Sequence, residues 1–147
     1  MQLTTQLSDF FVPIVNTYSV ETTVAEKLNA ILDLMEFSSR MKDYYDLYYL
    51  ANTFDFDGKI LTETLQKTFV NRNHQFILEQ FKQIFNFNSD DGMQKKWKAF
   101  IHKINTKTED YSIVLKTIKI FLSKPFIAAI EGKEYTEQWV ASINERV

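Results

Sequence analysis

Hydrophobic residues recur at intervals of three and four along most of the chain, the spacing of an amphipathic helix. The first such stripe follows Glu21 and consists of Val24, Leu28, Ile31, Leu32 and Met35. Ser19 precedes it and is a possible N-cap, because its hydroxyl can accept a hydrogen bond from a free N–H of the first turn.

The same spacing predicts a second helix to about Phe54 and a third after a break at Gly58. Further helices are predicted over FILEQFKQIF, MQKKWKAFIHKI, YSIVLKTIKIFLSKPFIAAI and TEQWVASINERV, the last beginning at Thr136. Pro125 should end or kink the helix that contains it, because proline lacks the N–H that a helix interior needs. Residues 1 to about 19 are interrupted by Pro13 and are predicted to be extended, with at most one short strand.

These elements predict one all-α domain over residues 1–147, a bundle of about six helices with a short extended N-terminal segment. With only three glycines and two prolines, an all-β fold and a glycine-rich phosphate loop are disfavoured. The chain has no cysteine, which excludes disulfides and thiolate metal sites, and no apolar run of about 18 residues that would predict a membrane span. We therefore expect a cytoplasmic protein with no membrane partner.

The segment RMKDYYDLYY, residues 40–49, combines four charged residues with four tyrosines. On a helix, Asp43 and Asp46 share a side with Leu47 and Leu50, so the two carboxylates should be partly buried. Two like charges in such a place need cations nearby. The candidates are Arg40, Lys42 and, from the edge of the first helix's apolar stripe, Lys27.

Two interpretations of this segment remain open from the residues alone. In the first, the charges form a structural ion-pair network that joins two helices, and the tyrosines cover the edge of the core. In the second, Arg40, Lys42 and Lys27 bind phosphates of a polyanion while the tyrosines stack against bases.

The two segments SVETTVAEKLNAI (19–31) and SRMKDYYDLYYL (39–50) resemble the third and fourth motifs of the AbiEii-type nucleotidyltransferase toxins. These are the enzymatic partners of type IV toxin–antitoxin, or abortive-infection, systems. The downstream KKWKAFIHKI and the long helix after it also resemble the C-terminal bundle of that family, so the resemblance covers most of the chain.

The resemblance implies transfer of a nucleotide from a nucleoside triphosphate (NTP) to an acceptor such as tRNA or another RNA. It also implies Mg²⁺ in the complete enzyme and a possible cognate antitoxin. Lys27 matches the third-motif lysine, which implies a role in holding phosphates, and Asp43 matches the fourth-motif aspartate, which implies a catalytic or orienting role. Lys42 and Arg40 would contact phosphates as well, and Glu26 and Asp46 would be supporting residues.

The sequence departs from the family pattern in lacking the N-terminal Gly-Ser turn and the metal-binding Asp-x-Asp strand. Asp55-Phe56-Asp57 matches the Asp-x-Asp pattern but follows the fourth motif. We interpret it and SDDG (89–92) as turns with helix caps. We therefore expect the chain to correspond to the C-terminal helical part of the enzyme and to be inactive alone. It should bind no metal by itself, and whether it is an enzyme stays open.

Three hypotheses follow: a helical part of a nucleotidyltransferase, a non-catalytic module that binds RNA or protein, and a purely structural scaffold. The first predicts that Lys27 and Asp43 converge beside an exposed apolar strip, whereas the third predicts mutually paired charges and no strip.

His74 and His102 are predicted to be ordinary surface or core histidines, and Trp97 and Phe100 to be core residues. The basic cluster is predicted to be a solvated face, with an RNA-phosphate patch as the alternative; its members are Lys95, Lys96, Lys98, Lys103 and Lys107.

Overall fold

The computed structural model describes residues 19–35 and 40–146. Helices make up most of this part of the chain: α1 (Val20–Leu34), α2 (Met41–Thr53), α3 (Gly58–Asn71), α4 (Leu78–Phe85), α5 (Asp91–Ile104) and α6 (Tyr111–Glu131). A 3-10 segment, Asn86–Ser89, connects α4 to α5, and two short antiparallel strands follow α6, β1 (Trp139–Val140) and β2 (Glu145–Arg146). The prediction of an all-α bundle of about six helices is confirmed, while the predicted extended N-terminal segment lies outside the described residues, apart from Ser19.

Side chains that the sequence suggested as caps begin three of the helices. The Ser19 hydroxyl accepts a hydrogen bond from the Thr22 N–H at 3.1 Å, at the start of α1. Asp57 accepts two such bonds at the start of α3, and Asp90 accepts one at the start of α5. These caps satisfy N–H groups that have no partner within the helix. The interpretation of DFD and SDDG as turns with helix caps is therefore confirmed.

Four helices form the centre of the bundle. α1 and α6 do not adjoin closely, but each packs against both α2 and α3. The predicted apolar stripe of α1 is buried, with Val24, Leu28, Ile31 and Leu32 almost fully covered. α4 and α5 pack around this centre, where the Phe81 ring stacks on Phe126 with centroids 4.4 Å apart. This arrangement places α1 and α2 side by side, so that their polar edges meet.

One prediction about the last third of the chain is wrong, and another is excluded in one of its two alternatives. TEQWVASINERV does not form a helix; it carries the β1–β2 hairpin, because Trp139 is fully buried and its backbone bonds to Phe56 in both directions. Of the two outcomes predicted for Pro125, an end to the helix is excluded, since α6 continues through it to Glu131. Within the described residues, no helix combines the length and the apolar character that crossing a bilayer requires.

Candidate functional site

The contact between α1 and α2 brings one lysine onto two aspartates. The Lys27 Nζ lies 3.3 Å from Asp43 Oδ1 and 3.0 Å from Asp46 Oδ2. Asp43 and Asp46 are one helical turn apart on α2, so both carboxylates face the same point on α1. The sequence-based expectation that the Lys27 ammonium reaches both aspartates is confirmed.

Two further cations, Lys42 of α2 and Arg40 directly before it, complete what we call the lysine–aspartate cluster, made of Lys27, Arg40, Lys42, Asp43 and Asp46. The Arg40 Nε lies 3.2 Å from Asp43 Oδ2, and the Lys42 Nζ donates a hydrogen bond to Asp46 Oδ2 at 2.8 Å. Each carboxylate is therefore shared by two cations. With three positive and two negative side chains, the cluster carries one net positive charge, which gives it an attraction for anions.

Burial divides the lysine–aspartate cluster into a covered part and an accessible part. The Asp43 and Asp46 side chains are only 2% and 6% exposed, whereas those of Lys27 and Lys42 are 22% and 49% exposed. Burial raises the pKa of Asp43, while the nearby charges of Lys27 and Arg40 act in the opposite direction. A ligand approaching from solvent would therefore meet the ammonium groups before it met either carboxylate.

Glu26 does not join this cluster. Its carboxylate pairs instead with Arg72, whose Nη2 lies 2.7 Å from Glu26 Oε1, and this ion pair connects α1 to the end of α3. The resemblance to the third motif implies a supporting role for Glu26, the residue before Lys27. Neighbouring residues on a helix point about 100° apart, however. The Lys27 side chain therefore contacts α2, whereas that of Glu26 contacts the end of α3.

His74 has polar partners that its position in the sequence did not reveal. Its Nδ1 lies 2.8 Å from the Asn29 Oδ1, and its Nε2 lies 3.4 Å from the Asp33 Oδ1. Both partners belong to α1, on the side that faces the loop after α3. A buried asparagine, Asn29, on an otherwise apolar stripe was the signal that could have predicted this contact.

The four tyrosines of α2 do not form a stack that is open to solvent. Tyr44 is fully buried and meets Tyr111 of α6 edge-on, with ring centroids 5.4 Å apart. Burial also raises the pKa of Tyr44 to about 12. Tyr45 lies edge-on to Phe100 of α5, and Tyr48 and Tyr49 are half-buried. The idea that these rings stack against bases is thus wrong for Tyr44, which belongs to the core.

The described surface of α1 and α2 also lacks the exposed apolar strip that the first hypothesis predicts beside Lys27 and Asp43. The large hydrophobic side chains that are exposed lie on other segments: Ile60, Val70, Ile77, Ile104, Ile113, Ile120 and Ile143. The mutual pairing of the charges and the lack of a strip on this described surface are what the scaffold hypothesis predicts, whereas the convergence of Lys27 and Asp43 is what the enzyme hypothesis predicts. The geometry therefore supports a fixed cluster of charges and is compatible with both hypotheses.

Asp43 and Asp46 do not offer a site for Mg²⁺. That ion prefers six oxygen ligands in octahedral geometry at about 2.1 Å. Here an ammonium occupies the space between the two carboxylates, and a metal ion could enter only by displacing Lys27. In the parts of the chain that the structure describes, no three His, Cys, Asp or Glu side chains form a group able to hold a metal ion.

The basic cluster lies largely on the outer face of α5. Lys95, Lys98 and Lys103 are exposed, as is Lys107 in the loop that follows, and Lys96 is partly covered. Trp97 points inward, is 3% exposed and donates its indole N–H to the Glu109 carbonyl at 3.2 Å. The prediction that Trp97 belongs to the core is confirmed, and Phe100 packs against the core at its edge.

Comparison with known families decides the ancestry of this site. The family model described as "Nucleotidyl transferase AbiEii toxin, Type IV TA system" matches residues 1–130. The chain belongs to this family. Searches among curated proteins and among solved structures gave no significant match. The matched residues of this AbiEii chain include the whole lysine–aspartate cluster and end within α6, so the β1–β2 hairpin lies beyond the match.

Proposed function

We propose that the chain contributes a phosphate-binding lysine and an orienting aspartate to a nucleotidyltransferase toxin. The enzyme would transfer a nucleotide from an NTP to an acceptor such as tRNA. One observation carries the proposal: the Lys27 ammonium is held between two carboxylates of a different helix, and the Lys27 side chain is still 22% exposed. Membership of the AbiEii family supports the reaction class.

The chemistry assigned to Lys27 follows from the charge of the substrate. Attack on the α-phosphate of an NTP develops negative charge on the phosphoryl oxygens and the leaving group, and a fixed cation nearby stabilises it. Lysine serves this purpose as a compact point charge. Arg40 pairs with Asp43 and Lys42 with Asp46, and both cations are more exposed than Lys27, so they would contact outlying phosphates.

The role we assign to Asp43 is to orient Lys27 rather than to take a proton from the acceptor. A general base has to lie within hydrogen-bond distance of the hydroxyl that it deprotonates. The Asp43 side chain is only 2% exposed, and Lys27 and Arg40 cover its oxygens. Together with Asp46 it restrains the ammonium, so that less side-chain entropy is lost when a phosphate binds.

The proposal requires structural elements that this sequence does not display. In the family that the chain resembles, the reaction needs a Gly-Ser turn that binds phosphate and an Asp-x-Asp strand that binds Mg²⁺. Such elements would hold the metal in the complete enzyme, and the lysine–aspartate cluster would act on the phosphates. A cognate antitoxin would be the physiological protein partner. We therefore expect the 147-residue chain to transfer no nucleotide by itself.

A complementation assay tests the assigned roles. The chain is mixed with the N-terminal portion of an AbiEii-family enzyme, and transfer of label from α-³²P NTPs to tRNA is measured. We expect Lys27→Gln to reduce the rate by about 100-fold or more, because the loss of one preorganised charge contact costs that much in comparable sites. Asp43→Asn should reduce it less, because its effect is indirect.

The matched control is Arg72→Gln, which breaks an ion pair of the same helix α1 outside the cluster. It should fold and transfer like the wild type. If the 147-residue chain transferred label without the added N-terminal portion, the proposal that transfer needs further structural elements would be contradicted. Wild-type rates for folded Lys27→Gln would show that the cluster has only a structural role.

A further inference from the structure

The outer face of α5 carries positive charge that the fold leaves unbalanced. Residues 91–110 contain five lysines and three acidic residues, whereas the whole chain has a net charge of −2. On the exposed face of α5, Lys95, Lys98 and Lys103 form no ion pair with any residue of the described segments. These three lysines with His102 are called the α5 basic face below. Its cations differ from Lys27, whose charge is already used in the lysine–aspartate cluster.

The position of α5 connects this basic face to the candidate site. Phe100 of α5 meets Tyr45 of α2 with ring centroids 5.8 Å apart, so α5 lies directly against the helix that carries Asp43 and Asp46. Lys103 follows Phe100 by three residues and is exposed, so it lies at the edge of the contact with α2, one turn further on. A long ligand that lay along α5 would pass beside α2.

We infer that the α5 basic face binds the phosphate backbone of the acceptor RNA and leads it to the lysine–aspartate cluster. This inference rests on the proposed function, because it identifies where the acceptor of that reaction is held. A row of exposed lysines suits a phosphate chain, whose charges repeat along its length and are bound by Lys and Arg without regard to sequence.

A second basic face, on α6, fits an RNA less well. Lys116, Lys119 and Lys124 are exposed there, but they alternate with Ile113 and Ile120, which are 44% and 47% exposed. α6 buries its other face against α2 and α3, so these lysines point away from the helix that carries the aspartates. The α6 face therefore serves as a control with the same number of lysines and a different location.

The cavity at the end of α5 is not where we place the phosphates. It measures about 370 Å³, and Lys98 and His102 line it together with Glu109 and Asp110. The two carboxylates would repel a phosphate at this point. The phosphates are assigned to the open face of the helix, where Lys95, Lys98 and Lys103 project into solvent.

The experiment measures binding of fluorescently labelled tRNA to the 147-residue chain over a series of salt concentrations. One variant combines Lys95→Gln, Lys98→Gln and Lys103→Gln, and its control combines Lys116→Gln, Lys119→Gln and Lys124→Gln. Both variants lose three positive charges, so a difference in their tRNA affinity reports the location of the lysines and not the net charge of the chain. Each phosphate contact contributes about 0.7 to 0.9 to the slope of log K against log salt concentration.

We expect the α5 variant to lose about two units of that slope and to bind tRNA roughly 10- to 100-fold more weakly at about 0.1 M salt. The α6 variant should stay within about twofold of the wild type, and circular dichroism should show both variants folded. Equal weakening in both variants, or no measurable binding of tRNA by the wild type, would overturn the inference. Since the assay needs no NTP, its result is independent of the Lys27→Gln transfer test, and either proposal can fail without the other.

Discussion

The clearest prediction about stability concerns Trp139, which connects the C-terminal hairpin to the helical bundle. Its side chain is fully buried, and its ring meets Phe121 of α6 with centroids 5.1 Å apart. The indole N–H donates to the Ala51 carbonyl at 2.8 Å. Ala51 lies in the last turn of α2, where carbonyl groups have no partner within the helix. Trp139 therefore fills the core and caps α2 at the same time.

Two substitutions separate these contributions. Trp139→Phe keeps most of the ring but leaves the Ala51 carbonyl without its donor, and we expect a loss of about 1 to 3 kcal/mol in the free energy of unfolding. Trp139→Ala also opens a large cavity, and such changes cost about 3 to 5 kcal/mol. That is a large fraction of a typical total stability of about 5–15 kcal/mol. The melting temperature of Trp139→Ala should fall by roughly 10 °C.

The assay is urea and thermal unfolding followed by circular dichroism at a helix-sensitive wavelength. Ile143→Ala is the matched control, because Ile143 belongs to the same hairpin but is 52% exposed. We expect its effect to stay within about 0.5 kcal/mol. If Trp139→Ala cost no more than Ile143→Ala, the argument that the hairpin is part of the core would be refuted.

Two further predictions concern backbone packing and pH. Gly58→Ala should destabilise the fold, despite the better helix propensity of alanine, because the new Cβ would collide with the Glu137 carbonyl; Gly92→Ala, with only the Asp90 side chain near, should be tolerated. Both are measured by urea unfolding. Burial raises the pKa of Asp43 above its ordinary value of 3.8, so the folded state holds this proton more tightly than the unfolded state. The free energy of unfolding of the wild type, relative to that of Asp43→Asn, should therefore fall as the pH rises above about 4. A relative increase over the same pH range would contradict the burial of Asp43.

Local patterns predicted the helices well where the relevant interactions are close in sequence. The apolar stripe after Glu21 and the caps at Ser19, Asp57 and Asp90 depend on residues within one or two turns. The local pattern around Trp139 predicts a helix, and the structure departs from it because Trp139 bonds to Phe56, which lies more than eighty residues away in the chain. A contact of that kind overrides local helix propensity and leaves no periodic signal.

The part of the candidate site that depends on spacing within a single helix could also be predicted from the sequence. Lys27 lies at the edge of an apolar stripe, and Asp43 and Asp46 share a helix side, so helix geometry alone suggested that they meet. Helix geometry could not tell which neighbour each residue of α1 would face. The Glu26–Arg72 pair depends on how α1 and α3 pack together, which no spacing within either helix encodes.

Polar contacts on two sides of α1 have a mechanical consequence. Apolar packing fixes which face of α1 is buried, but it is non-directional and sets the exact rotation of the helix less sharply than hydrogen bonds do. Here the aspartates of α2 hold α1 on one side, while His74 holds it on another through Asn29 and Asp33. These opposed attachments set the angular orientation of the helix, and with it the direction in which the Lys27 amino group points.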